Sequence, residues 1–223
     1  MDSLGALRGE CEALISVLRG LEAGAFMLAT NCPPWDLGEL VVHMADSVSL
    51  GRKLPDCAVD EGLFSAADYY RRPERGTEEY RQRNVERAVR LAGSVPVGVS
   101  VTEWFERVAG KTVALLEADD PDRAVAIPGR GPMRLGDWVV TRAIAVAAHS
   151  LDVAITLGRE GWTTVEALAV VKPVFVDLLG EEPAGELGWD DAVFLAVATG
   201  RRALSDEEKV VLGERAGRFP LLS

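Results

Sequence analysis

The chain has few of the residues that do chemistry near neutral pH. It holds 2 histidines in 223 residues, His43 and His149, so any site built on imidazole must use one or both. The 3 cysteines, Cys11, Cys32 and Cys57, are odd in number and include no Cys-x-x-Cys pair, which favours a reduced, cytoplasmic setting. Positive charge is also scarce. With 24 Lys and Arg against 35 Asp and Glu, the net charge is −11, which argues against a nucleic-acid or anionic-membrane partner. The opening Met1-Asp-Ser-Leu-Gly5 lacks the basic and apolar regions of a signal peptide. No internal repeat or low-complexity tract is present. The run most suited to a membrane carries Arg142, His149 and Asp152, so it is a poor span.

What is present is a globular composition, 48% hydrophobic and 26% charged, over a length that suits one or two domains. Apolar residues at helical spacing predict a first helix over 4–28. Cys32-Pro-Pro34 turns the chain, and Asp36 with Glu39 reads as a capping box opening a helix to about Arg52. Residues 55–74 read as a connection with one short helical turn, and Glu78–Ala92 as a charged helix. Ser100–Asp119 reads as an amphipathic helix with Trp104, Val108, Leu115 and Leu116 inward. Pro121–Pro132 reads as irregular, with Pro128-Gly-Arg-Gly-Pro132 a loop able to close over a ligand. A long apolar helix follows to Leu157, with Gly158 as its stop. Beyond Gly161, helices are expected at 164–179, 190–201 and 205–216, the last opened by a Ser205/Glu208 capping box. The fold class expected is mainly α: a four-helix bundle over 1–158 and a small C-terminal subdomain over 159–223.

The long apolar helix is the informative one. Arg142, Ala145, His149 and Asp152 follow at steps of three, four and three, which stacks them on one face. Polar groups placed in an apolar helix need partners: one another, a ligand or a metal. His43 lies in a second amphipathic helix with Asp46 three residues on. One such histidine is more often a satisfied core group than a ligand, but two with no others in the chain favour a shared site.

Three stretches carry a resemblance. They are Cys32-Pro-Pro-Trp-Asp-Leu-Gly-Glu-Leu-Val-Val-His43, Met133-Arg-Leu-Gly-Asp-Trp-Val-Val-Thr-Arg142 running on to His149-Ser-Leu-Asp152, and the tail Ala198-Thr-Gly-Arg-Arg-Ala-Leu through Arg218-Phe-Pro-Leu-Leu-Ser223. Together they resemble the actinobacterial mycothiol-dependent maleylpyruvate isomerase family of the DinB/YfiT-like superfamily. The resemblance implies a cytoplasmic four-helix bundle with a divalent metal, usually zinc, inside it, and chemistry on small molecules through mycothiol. It places His43 and His149 as metal ligands. The Glu of the family's Glu-x-x-x-His motif falls on Ala145, which offers no donor. A catalytic zinc site normally has three protein ligands.

Three functions are open at this point. The first is a metal-dependent isomerase or thiol transferase, in which a coordinated thiol is deprotonated. The second is a metal-free relative using His/Asp acid–base chemistry for isomerisation or cyclisation. The third is a non-catalytic ligand-binding relative. The candidate catalytic residues are His43, His149, Asp152, which orients His149, and Arg142, whose guanidinium can fork onto a carboxylate. The candidate substrate-binding residues are Trp35, Asp46, Arg130, Trp138 and Ala145. The expected partner is a small molecule, and the expected state is a monomer or homodimer.

Overall fold

The structure is a computed structural model, and it describes residues 2–57, 62–73, 77–93, 95–127, 131–183 and 185–222. Among these, helix α1 is Ser3–Arg19, α2 Leu37–Val48, α3 Ala66–Tyr70, α4 Glu78–Ala92 and α5 Val101–Glu117. A hairpin of β1 (Ala124–Ile127) and β2 (Gly131–Arg134) precedes α6, Leu135–Thr156. Then come α7 Val165–Leu179, α8 Asp191–Ala198 and α9 Asp206–Leu212.

Helix ends are set by local chemistry. Asp36 Oδ1 accepts from Glu39 N at 2.8 Å while Glu39 Oε2 accepts from Asp36 N at 3.1 Å, so α2 starts on a reciprocal cap. Ser100 with Glu103 and Ser205 with Glu208 do the same for α5 and α9. The first helix is shorter than the 4–28 expected. It stops at Arg19, where Gly20 interrupts it, and Ala23–Met27 forms a separate 3-10 turn. α2 likewise ends at Val48, short of Arg52. Gly158 takes φ +61 just past α6, a left-handed conformation that glycine adopts without strain.

α1, α2, α5 and α6 pack as the bundle, with α4 along α2. α7 packs on α1 and α6, and α8 on α7 and α6. Leu7, Leu14, Leu37, Leu40, Phe105 and Ile144 are buried at its centre, each contributing roughly 1.5–3 kcal/mol of burial. The inner face of α5 differs from expectation: Phe105, Ala109, Thr112 and Leu116 are buried, and Trp104, Val108 and Leu115 only pack at the margin. The stretch 121–132, expected to be irregular, holds β1 and the start of β2, an antiparallel pair with Val125 opposite Met133 and both buried. Strands of four residues flanked by Pro and Gly leave little periodic signal. Arg130 and the rest of 128–130 lie outside the described residues.

α6 is long and apolar enough to cross a membrane by length and composition alone, yet its residues are mostly buried inside the protein. From Thr141 to Ser150 every residue is buried except Arg142, Ala145 and His149. On α2, from Leu40 to Ala45, only His43 is not buried. Two helices closed on nearly every side therefore open toward the same place.

Candidate functional site

Both histidines lie there, between α2 and α6. Their ring centroids are 5.1 Å apart with planes at 88°, an edge-to-face contact. The Trp35 ring lies 4.5 Å from His43 at 30°, and Trp35 itself is buried. Cys32-Pro-Pro34 delivers Trp35 just before the α2 cap, which fixes where the indole sits relative to His43, two turns into the helix.

His149 belongs to a closed hydrogen-bond network. Asp152 is 0% exposed. Its Oδ1 accepts from Asn31 Nδ2 at 2.7 Å and Arg201 Nε at 3.0 Å. Its Oδ2 accepts from Arg201 Nη2 at 2.6 Å and lies 2.8 Å from His149 Nδ1. Burial alone would raise the Asp152 carboxyl, but the hydrogen bonds from His149 and Arg201 outweigh it and hold it well below the usual carboxylate range. An ionised acceptor assigns a proton to His149 Nδ1. Arg201 comes from the turn after α8, where Gly200 has φ +75 and Arg201 Nη1 also donates to Thr199 O. The tail that carried the resemblance thus reaches the site, although its spacing gave no sign of a partner for Asp152.

His43 differs from its neighbour. It makes no hydrogen bond among the described residues. It keeps some accessible surface, but protein surrounds it closely. Burial first, then His149, Arg87 and Arg142, lower its pKa to about 3, so it is a neutral imidazole at pH 7. Cys32 also lies here. Burial and the Asp152 charge push its thiol up to about 12, so it is not a thiolate nucleophile.

The other expected site residues are placed as follows. Arg142 donates to Ser47 O at 2.9 Å and to Thr141 Oγ1, with its guanidinium 5.2 Å from both the Trp138 and Tyr69 ring centroids. Among the described residues it meets no carboxylate. Trp138 is buried and acts as one wall of that cage. Asp46 is turned to Arg87, 2.7 Å from its Nε, rather than to His43. Ala145 sits between Arg142 and His149 on the same half-buried stripe. Separate concavities of about 340 Å³ beside Glu12 and Arg19, and about 90 Å³ beside Lys172 and Trp189, lie away from the histidines.

The donor set does not fit zinc. The two rings are close enough to share a metal, but Ala145 supplies no third ligand. Among the described residues, Cys32, His149 and Asp152 form the one three-donor group with atoms mutually within 4.8 Å, and His43 is not in it. Both Asp152 oxygens there already accept from Arg201, whose positive charge opposes a cation at the same place.

No curated protein and no solved structure is significantly similar to the chain. The family model described as the mycothiol maleylpyruvate isomerase N-terminal domain matches residues 7–154, which takes in both histidines, Asp152 and all but the outer ends of the four bundle helices. The chain belongs to the mycothiol maleylpyruvate isomerase N-terminal domain family.

Proposed function

We propose that the protein is an isomerase-type enzyme that moves a proton on a small molecule with His149 as general base and acid, with no metal in the step. The observation that carries this reading is the 2.8 Å contact between His149 Nδ1 and a fully buried carboxylate that Arg201 keeps ionised. That contact fixes tautomer and orientation, so Nε2 is the basic nitrogen. His149 is only 18% exposed, enough to meet a substrate while bulk water is largely kept away. Arg142 supplies fixed positive charge one turn below Ala145. Trp35, Trp138 and Ala145 border the substrate's place in this reading, and Ala145 is smaller than the Glu that the family motif carries there.

Membership of a mycothiol-associated family supports a second reading, in which the proton that His149 removes is the S–H of that thiol. The experiment separates the two. Metal-stripped protein is incubated with a panel of small carbonyl and alkene compounds in D2O, with and without mycothiol, and followed by proton NMR. The proposal expects His149-dependent exchange or isomerisation that survives chelator, falling by roughly 10²–10⁴-fold in His149→Ala. Activity that survives in His149→Ala, or appears only with added zinc, overturns it. Dependence on mycothiol selects the second reading.

A further inference from the structure

Arg201, the cation on Asp152, comes from a turn that does not stand on its own. The last four carbonyls of a helix lack partners within it. In α8 the chain that follows bonds three of them. Leu195 O accepts from Thr199 N at 3.0 Å, Val197 O from Gly200 N at 3.1 Å, and Ala196 O from Arg201 N at 2.8 Å. Gly200, at φ +75, is the left-handed residue that such a helix end needs. The fourth carbonyl, Ala198 O, is bonded by the tail: it accepts from Leu221 N at 2.8 Å and from Leu222 N at 3.1 Å. Pro220 closes on the same turn. A Cβ at Gly200 would stand 3.2 Å from Pro220 Cβ, so the proline lies close over the glycine. Phe219 meets the Trp189 ring edge-on at 5.9 Å, and Leu221 and Leu222 pack half-buried on the core. Arg218 Nη2, just before them, donates to Leu178 O at 2.7 Å near the end of α7.

Thr199 thus sits between two residues that the tail grips, Ala198 and Gly200. Its carbonyl oxygen steers the guanidinium. Arg201 Nη1 donates to Thr199 O at 2.6 Å, which turns Nε and Nη2 onto the two oxygens of Asp152, at 3.0 and 2.6 Å. A fork that meets a carboxylate through two parallel bonds is strict in its geometry. We infer that residues 219–222 are a strap that aims Arg201 at Asp152. With the strap docked, the turn is fixed and the buried carboxylate has its cation. With the strap lifted, Thr199 O shifts and the pair comes apart. Pro220, Leu221 and Leu222 are positioning residues that act through Arg201. Among the described residues the strap is held by two backbone hydrogen bonds to α8 and by the half-buried side chains of Phe219, Leu221 and Leu222. That is little beside the bundle core, so the strap opens well before the bundle unfolds. An unmatched buried carboxylate is strongly unfavourable, so the pair in turn holds the strap down. The two events share one coupling, equal in both directions. The strap is independent of the proton-transfer reading: it sets whether Asp152 is matched, whatever chemistry the site performs.

The experiment reads hydrogen exchange at both ends of this linkage in the full-length 15N-labelled protein. The Arg201 Nε–H, assigned by its absence in Arg201→Met, reports the pair with Asp152. The Leu221 and Leu222 amides report docking. Arg123, whose Nε donates to Asp119 Oδ1 at 2.8 Å, is the control. Leu221→Pro removes one of the two donors to Ala198 O and leaves the rest of the tail in place. In that variant the Arg201 Nε–H is expected to exchange at least about tenfold faster, with the Arg123 Nε–H unchanged. In Arg201→Met the Leu221 and Leu222 amides are expected to exchange faster, because the coupling is reciprocal. Either substitution decides alone should the other not fold. Unchanged Arg201 exchange in Leu221→Pro, Arg201 and Arg123 accelerating together, or tail amides indifferent to Arg201→Met overturns the inference.

Discussion

Replacing Asp152 by Asn separates charge from shape at the centre of the site. Each carboxylate oxygen receives an N–H from Arg201, Oδ1 at 3.0 Å from Nε and Oδ2 at 2.6 Å from Nη2. An amide must put its NH2 on one of those two positions, so either rotamer sets donor against donor. Oδ1 additionally faces Asn31 Nδ2 at 2.7 Å, and Oδ2 faces His149 Nδ1 at 2.8 Å. The charge of Arg201 is left unmatched as well. Removing one partner of a buried pair costs about 3–5 kcal/mol. Arg201 retains 18% exposure and can recruit water, so the expected loss is near the low end, about 3 kcal/mol. For a chain of this size that is a fall in Tm of roughly 6–12 °C. Urea unfolding and calorimetry measure it. From the sequence, Asp152→Asn disturbs orientation more than folding; the double contact with Arg201 changes that expectation. A double-mutant cycle with Arg201→Met isolates the pair, with a coupling energy above about 1 kcal/mol expected. Stability of Asp152→Asn within about 0.5 kcal/mol of the parent, or strict additivity, refutes the reasoning.

Acid should weaken the fold in a defined window. The folded pKa of His43 is about 3 against an unfolded value near 6.5, so the unfolded chain binds the extra proton, and stability falls as pH drops from about 6.5 toward 3; denaturation profiles of His43→Phe should be flatter there. Glu10 is 0% exposed and raised by burial, with Oε1 accepting from Thr164 N and Oε2 unpaired, so stability falls as pH rises through its folded pKa. Glu10→Gln should be as stable as the parent or about 1 kcal/mol more so at pH 7 by urea titration, and a loss above 2 kcal/mol contradicts this. Ala145→Glu should bind zinc at least about tenfold more tightly than the parent by calorimetry, because it completes a three-ligand set; equal affinity contradicts the donor argument.

Much of the bundle was legible because its signals are local. The caps at Asp36/Glu39 and Ser205/Glu208 are four-residue patterns, and Glu78–Ala92 has the bounds expected. The stripe Arg142–Ala145–His149 was legible because helical periodicity fixes which residues share a face. What was not legible depends on the chain folding back. Arg201 is 49 residues from Asp152 and Asn31 is 121 away, distances no periodicity spans. The nearest cation on the same face, Arg142, is ten residues from Asp152, about 15 Å along a helix, too far to pair. An Asp on an apolar stripe did announce that some cation must reach it. The tail turn Thr199-Gly-Arg-Arg202 carries the resemblance, and nothing in its spacing ties its charge to Asp152. Asp46 is close to His43 in sequence, and that closeness gives no sign of Arg87 on α4, with which it pairs.

The central claim is that His149 is a base oriented by Asp152 and not a metal ligand. The most direct measurement is the nitrogen–proton correlation spectrum of 15N-histidine-labelled protein, recorded with and without one equivalent of zinc. The account predicts His149 protonated at Nδ1 and bare at Nε2, lost or mixed in Asp152→Ala, with both spectra unchanged by zinc. A proton on His149 Nε2, or histidine resonances moved stoichiometrically by zinc, contradicts it.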